Sequence, residues 1–121
     1  LSKKFLGRTE ELVAIVLLDA KKKVLYEGII SDGTYSKVNM NTRRVIELVS
    51  FYNAAAIAIA HNHPSGIALP SKEDIDTTKR LKFLFDSLNV YFIDHIIVAD
   101  DDYISFRDCN FPDIFEDSSE D

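Results

Sequence analysis

The sequence predicts an α/β fold with a mixed β-sheet, and three observations carry that expectation. Short, almost continuous apolar runs alternate with two segments of helical period. The first two runs are separated by a tight polar turn, which pairs them antiparallel. The runs at 54–60 and 90–99 flank the better of the two helices, the arrangement of a βαβ crossover within a sheet that starts with a hairpin.

Glu11–Asp19 (ELVAIVLLD) is apolar nearly throughout and is followed by Lys21-Lys22-Lys23, which reads as a buried strand running into a solvated turn. Val24–Ile30 is the second strand of the hairpin, and Asp32-Gly33 breaks it. Residues 34–40 are weakly strand-like. Val45, Ile46, Leu48, Val49 and Tyr52 then fall on one helical face, with Asn41 or Thr42 as N-cap. Ala54–Ala60 (AAAIAIA) is bounded too tightly by Asn53 and His-Asn-His-Pro to be a helix, so it is expected as a central strand. Two prolines and a glycine make 61–70 a loop, in which Ser65 and Gly66 shape the turn and Gly66 supplies a positive φ. Ser71–Asn89 is the strongest helix, with Ile75, Thr78, Leu81, Phe85 and Leu88 along one stripe. Val90–Ala99 is a strand, and Tyr103–Phe106 a short partner for it. From Asn110 the chain is expected to be a polar, acidic tail, separate from a domain spanning residues 1–109.

The chain has 121 residues, 46% of them hydrophobic, enough for one domain with a real core. Its net charge of −6 is unevenly spread. Residues 100–121 hold nine acids against Arg107 alone, leaving residues 1–99 with 11 acids and 13 bases, a net of +2. That balance does not favour a nucleic-acid partner, and no basic stripe interleaved with aromatics strengthens the case. A single cysteine, Cys109, excludes a disulfide framework and a Cys-rich zinc ribbon and suits a reducing compartment. With no membrane span and no signal peptide, the expected location is the cytoplasm. Opening on Leu1, the chain reads as a fragment or a processed product.

The chemistry concentrates in His61-Asn62-His63-Pro64-Ser65-Gly66-Ile67-Ala68-Leu69-Pro70-Ser71-Lys72-Glu73-Asp74. Histidines two apart at the end of a strand project to the same side and supply half of a tetrahedral zinc site. Asp74, in the first turn of the next helix, is held anionic by the positive helix end and suits a third ligand. Three protein ligands leave a fourth position for water, as in a catalytic zinc site. Ser71, one turn earlier, is placed to hydrogen-bond that water or a developing oxyanion. It also forms a capping-box variant with Asp74, so Ser71 is expected to cap the helix in either case. From this chain's own frequencies HxH-x7-SxxD arises by chance in roughly six of ten thousand such sequences, which favours a site over coincidence.

That pattern resembles the JAMM (MPN+) metalloprotease signature. Its flanks, HNHPSG, then PSxxD, then Asp94-His95-Ile96-Ile97-Val98, are similar to the bacterial RadC branch, and the resemblance runs from about Glu11 to Phe106. It implies a cytidine-deaminase-like α/β/α fold, with zinc held by His61, His63 and Asp74. It implies hydrolysis of a peptide or isopeptide bond in an unknown peptide or protein substrate, and an upstream helix-hairpin-helix region in full-length relatives. The same pattern places a general base far upstream, near the start of the first core strand. Glu11 matches best, with Glu10 and Glu27 as alternatives.

Other residues fit structural roles. One of Asp94 and His95, inside an apolar strand, is expected to be buried and hydrogen-bonded rather than a ligand. Arg43 and Arg44 support the first helix or form a modest anion site. The competing functions are a DNA-repair or nucleic-acid-associated module and a non-catalytic MPN scaffold; scaffolds usually lose ligands that this chain keeps. A nucleobase deaminase needs a PCxxC segment and a zincin HExxH, and both are missing.

Overall fold

The computed structural model describes residues 11–30, 41–109 and 113–115. In chain order these form β1 (Val13–Leu18), β2 (Val24–Ile29), α1 (Thr42–Tyr52), β3 (Ala56–Asn62), α2 (Lys72–Ser87), β4 (Tyr91–Ala99), β5 (Asp102–Ser105) and α3 (Phe106–Cys109). The five strands make one mixed sheet in the order β2-β1-β3-β4-β5. β3 and β4 are parallel, joined through α2, and every other pair is antiparallel. This is the expected α/β fold, hairpin first and βαβ crossover second. Residues 34–40 and Glu10 lie outside the described residues.

The hairpin turn is built by Asp19, whose Oδ1 accepts from the backbone N–H groups of Lys21 and Lys23, both at 2.8 Å, while Lys22 takes a positive φ. Asn41 caps α1 by accepting from Arg44 N–H at 3.0 Å. Arg43 and Arg44 both approach Glu47 on the exposed side of that helix, within 3.7 Å. Alternate residues of β1 (Val13, Ile15, Leu17) and β3 (Ile57, Ile59) share the main core with Val45, Leu48 and Val49 of α1 and Leu81 and Phe85 of α2. A smaller cluster joins Leu12, Ala14, Ala60 and Val98.

Several boundaries differ from expectation. The central strand starts at Ala56 and runs through His61 and Asn62, which were expected in a loop. These two residues are flanked on both sides: His61 pairs with Val13 and Ile97, and Asn62 pairs with Val98 and donates its N–H to the Leu12 carbonyl at 3.4 Å. Backbone partners on both edges extend the strand despite its polar side chains. Leu88, expected on the buried stripe of α2, is the C-cap and is exposed, because Asn89 turns to positive φ and ends the helix. In the segment expected as a tail, Ile114 and Phe115 are buried in the main core. The Phe115 ring meets Phe92 edge-on at 4.9 Å, and the Arg107 guanidinium lies over it at 4.8 Å. Arg107 is fixed there by donating to the carbonyls of Ile93 and Phe92.

Candidate metal centre

Two strands and one helix bring the site together. His61 is the buried penultimate residue of β3, and His63 follows two residues later with the same orientation. The turn after it closes with Gly66 N–H donating to His63 carbonyl oxygen at 3.0 Å. Gly66 has φ +88°, as the sequence predicts, and a Cβ added there would lie 2.7 Å from Asp100 Oδ2. The chain then returns into α2. Ser71 Oγ accepts from Asp74 N–H at 3.0 Å, and Ser71 N–H donates to Asp74 Oδ2 at 2.8 Å. This capping box aims the Asp74 carboxylate back at the histidines.

The Nε2 atoms of His61 and His63 are 3.0 Å apart. Asp74 Oδ2 is 3.1 Å from His63 Nε2, and Asp74 Oδ1 is 3.3 Å from His61 Nε2. Glu11 arrives on the antiparallel neighbour. Val13 faces His61 in the β1–β3 register, so two residues earlier Glu11 falls on the same side as both histidines. Its Oε2 lies 3.6 Å from His61 Nε2 and 3.8 Å from His63 Nε2. Glu11, His61 and His63 offer ligand atoms that all lie within 4.8 Å of one another. Glu27 sits exposed on β2 opposite Val16, with β1 between it and the histidine strand.

The donor set fits a cation. His63 Nδ1 lies 3.0 Å from the Ile67 carbonyl, which can only accept, so Nδ1 carries the proton and Nε2 keeps a lone pair when the ring is neutral. Lone pairs and carboxylate oxygens then converge at separations near the edge of about 3.3 Å that a tetrahedral ion with bonds of roughly 2.0–2.1 Å requires. A proton answers the same field. Hydrogen bonding to Asp74 raises the His63 pKa above its ordinary value, against burial, with help from the Ile67 carbonyl and the charges of Asp74 and Glu11. Burial opposes ionisation of Asp74, but hydrogen bonds from His61 and His63 when those rings carry a proton on Nε2, attraction to a protonated His61 and the Ser71 N–H hold its carboxyl below the usual range.

Behind His61 lies a residue whose placement the sequence did not give. His95 of β4 is fully enclosed, stacked on Phe106 at 4.6 Å, and its Nε2 is 2.8 Å from His61 Nδ1. Its Nδ1 is 2.5 Å from the hydroxyl of Thr78 on α2. Burial, then the neighbouring His61, push its pKa well down, so it is neutral. Asp94 faces elsewhere and organises the start of α3, accepting from the Ser105 hydroxyl and from Arg107 N–H. Of the Asp94-His95 pair, both are therefore hydrogen-bonded and His95 is the buried one. The signal for His95 was the parallel register, in which it pairs with Ile59 and so shares a face with His61.

Comparison with known proteins places the chain in a family. A family profile described as the RadC-like JAB domain matches residues 1–111. The chain is similar to a UPF0758 protein of Idiomarina loihiensis, 42% identical over 98 residues, which covers 81% of this chain and 44% of that protein. A UPF0758 protein of Pseudomonas syringae pv. tomato is 40% identical over 95 residues, covering 78% and 42% respectively. One from Geotalea uraniireducens is 38% identical over 104 residues, covering 86% and 46%. The chain thus spans a little under half the length of these curated relatives. By profile and by relatives alike, the chain belongs to the RadC-like JAB domain family.

Proposed function

We propose that this domain is a zinc-dependent hydrolase that cleaves an amide bond, peptide or isopeptide, in a peptide or protein substrate. The convergence of His61 Nε2, His63 Nε2 and the Asp74 carboxylate, with Glu11 beside them, carries the reading. His61, His63 and Asp74 would hold the ion, since Asp74 is nearer both imidazoles and is almost wholly enclosed. Zinc bound by three protein ligands supplies Lewis acidity and a water of lowered pKa. Glu11 is the fourth polar group and is more exposed, which suits a group that must meet water and substrate. It takes a proton from the attacking water as oxygen adds to the carbonyl carbon, then delivers that proton to the leaving nitrogen as the C–N bond breaks. Ser71 Oγ accepts the capping bond and so keeps its own proton to donate to the oxygen that gains charge.

The test is metal analysis of protein purified without chelators, paired with a hydrolysis assay on peptide and lysine-branched isopeptide libraries. About one zinc per chain is expected, lost in His63→Ala together with cleavage. Protein that is zinc-free and has no affinity for added zinc would overturn the assignment.

A further inference from the structure

The hydrogen bonds behind His61 have a direction, and their far end sets it. The Asp74 carbonyl oxygen can only accept, so the Thr78 hydroxyl commits its single proton there, at 2.7 Å. Thr78 Oγ1 must then accept from His95 Nδ1. A neutral imidazole protonated at Nδ1 has its lone pair at Nε2, the nitrogen that meets His61 Nδ1. His61 therefore donates from Nδ1, and in the neutral ring the lone pair is left at Nε2, facing His63 and Asp74. Without the Thr78 acceptor the chain has no preferred direction. His95 could then carry its proton on Nε2, and His61 would accept at Nδ1 and carry its proton on the nitrogen that faces the site.

We propose that His95 and Thr78 are positioning residues that lock His61 in its Nδ1-protonated tautomer and so keep its Nε2 open to a metal ion. The proposal rests on His61 being a ligand, but what it fixes is the place of a proton, which can be read with or without the ion. Metal-binding histidines commonly take their tautomer from a group on the far nitrogen, a carboxylate or a backbone carbonyl. Here the group is a second, buried histidine held by a hydroxyl. That hydroxyl is tied in turn to the backbone of Asp74, so two ligand-bearing elements, β3 and α2, share one proton arrangement.

Long-range 1H–15N NMR of the metal-free protein, at about pH 8 where ordinary imidazoles are neutral, reads which ring nitrogens are protonated. The wild-type chain should show protonated Nδ1 in both His61 and His95. Thr78→Val, nearly isosteric, should move His61 toward the Nε2-protonated form and weaken zinc binding by about 10–100-fold. Thr78→Ser should restore both readouts. His95→Gln, whose amide can accept from His61 and donate to Thr78, should keep zinc affinity closer to wild type than His95→Leu. Wild-type His61 protonated at Nε2 would overturn the proposal, as would a folded Thr78→Val with unchanged tautomers and zinc affinity. If no variant and no wild-type sample binds zinc, the metal assignment falls while the tautomer spectra still decide the proton placement. If Thr78→Val fails to fold by circular dichroism, the wild-type spectrum and the Gln–Leu comparison at position 95 decide it.

Discussion

The backbone N–H of Leu12 donates to Asn62 Oδ1 at 2.6 Å, and this bond between residues fifty apart pins the strand that delivers Glu11 to the histidines. Because Glu11 precedes that anchor by one residue, its carboxylate reaches the site without being part of the core. Two roles are chemically open to a carboxylate there, ligand or base, and they separate under mutation. Glu11→Gln should retain about one zinc per chain while lowering amide hydrolysis on the order of 10²–10⁴-fold. Metal content and single-turnover rates measured on one preparation check this. Loss of zinc in that variant would make Glu11 a ligand.

Ser71 has a structural duty that is seen directly and a chemical one that is proposed. Ser71→Ala removes the cap bond and should cost about 1 kcal/mol of stability, read as a lower urea midpoint. If the hydroxyl also donates to the reacting oxygen, kcat should drop by roughly 10²-fold or more with zinc retained. Unfolding and kinetics together separate the two.

Opposite pKa shifts make the metal-free protein's stability peak near neutral pH. His63 is raised above 6.5, so between 6.5 and its folded value the native state holds the extra proton and stability falls as pH rises. His95 is depressed, so below 6.5 the unfolded state holds the extra proton and stability falls as pH drops. Chemical denaturation across this range should therefore show a maximum near 6.5. His95→Gln should flatten the acid side. An unchanged acid limb in that variant would show that His95 does not titrate on unfolding.

Phe115 lies beyond the expected domain boundary yet is part of the core. Phe115→Ala should destabilise by about 3–5 kcal/mol, as for a buried ring, and thermal unfolding measures it. A change within about 0.5 kcal/mol, the usual scale for surface positions, would mean the ring does not stay docked.

The parts of this molecule that were legible in its sequence are those encoded within a few residues. Two histidines at strand spacing, Ser71-x-x-Asp74 at helix spacing and the positive φ of Gly66 are local geometry, and they stand as expected. Glu11 was reached only through a resemblance, because nothing local encodes that Val13 will face His61 across the sheet. Thr78 looked like one more position in an apolar stripe, and its hydroxyl became meaningful only once α2 lay over β4. Ile114 and Phe115 were hidden by the charges around them: local composition reports solvation, whereas burial depends on what the Arg107 side chain and Phe92 leave uncovered.

The register between β1 and β3 also decides whether the site is assembled at all. Side chains alternate along a strand, so a slip of one residue would turn Leu12 toward the histidines and Glu11 away from them. A nascent or misfolded chain can thus hold both histidines and still lack the carboxylate beside them. The cluster of Glu11, His61 and His63 is therefore complete only once the sheet has closed in correct alignment, so whatever chemistry it performs belongs to the finished fold and not to its separate parts.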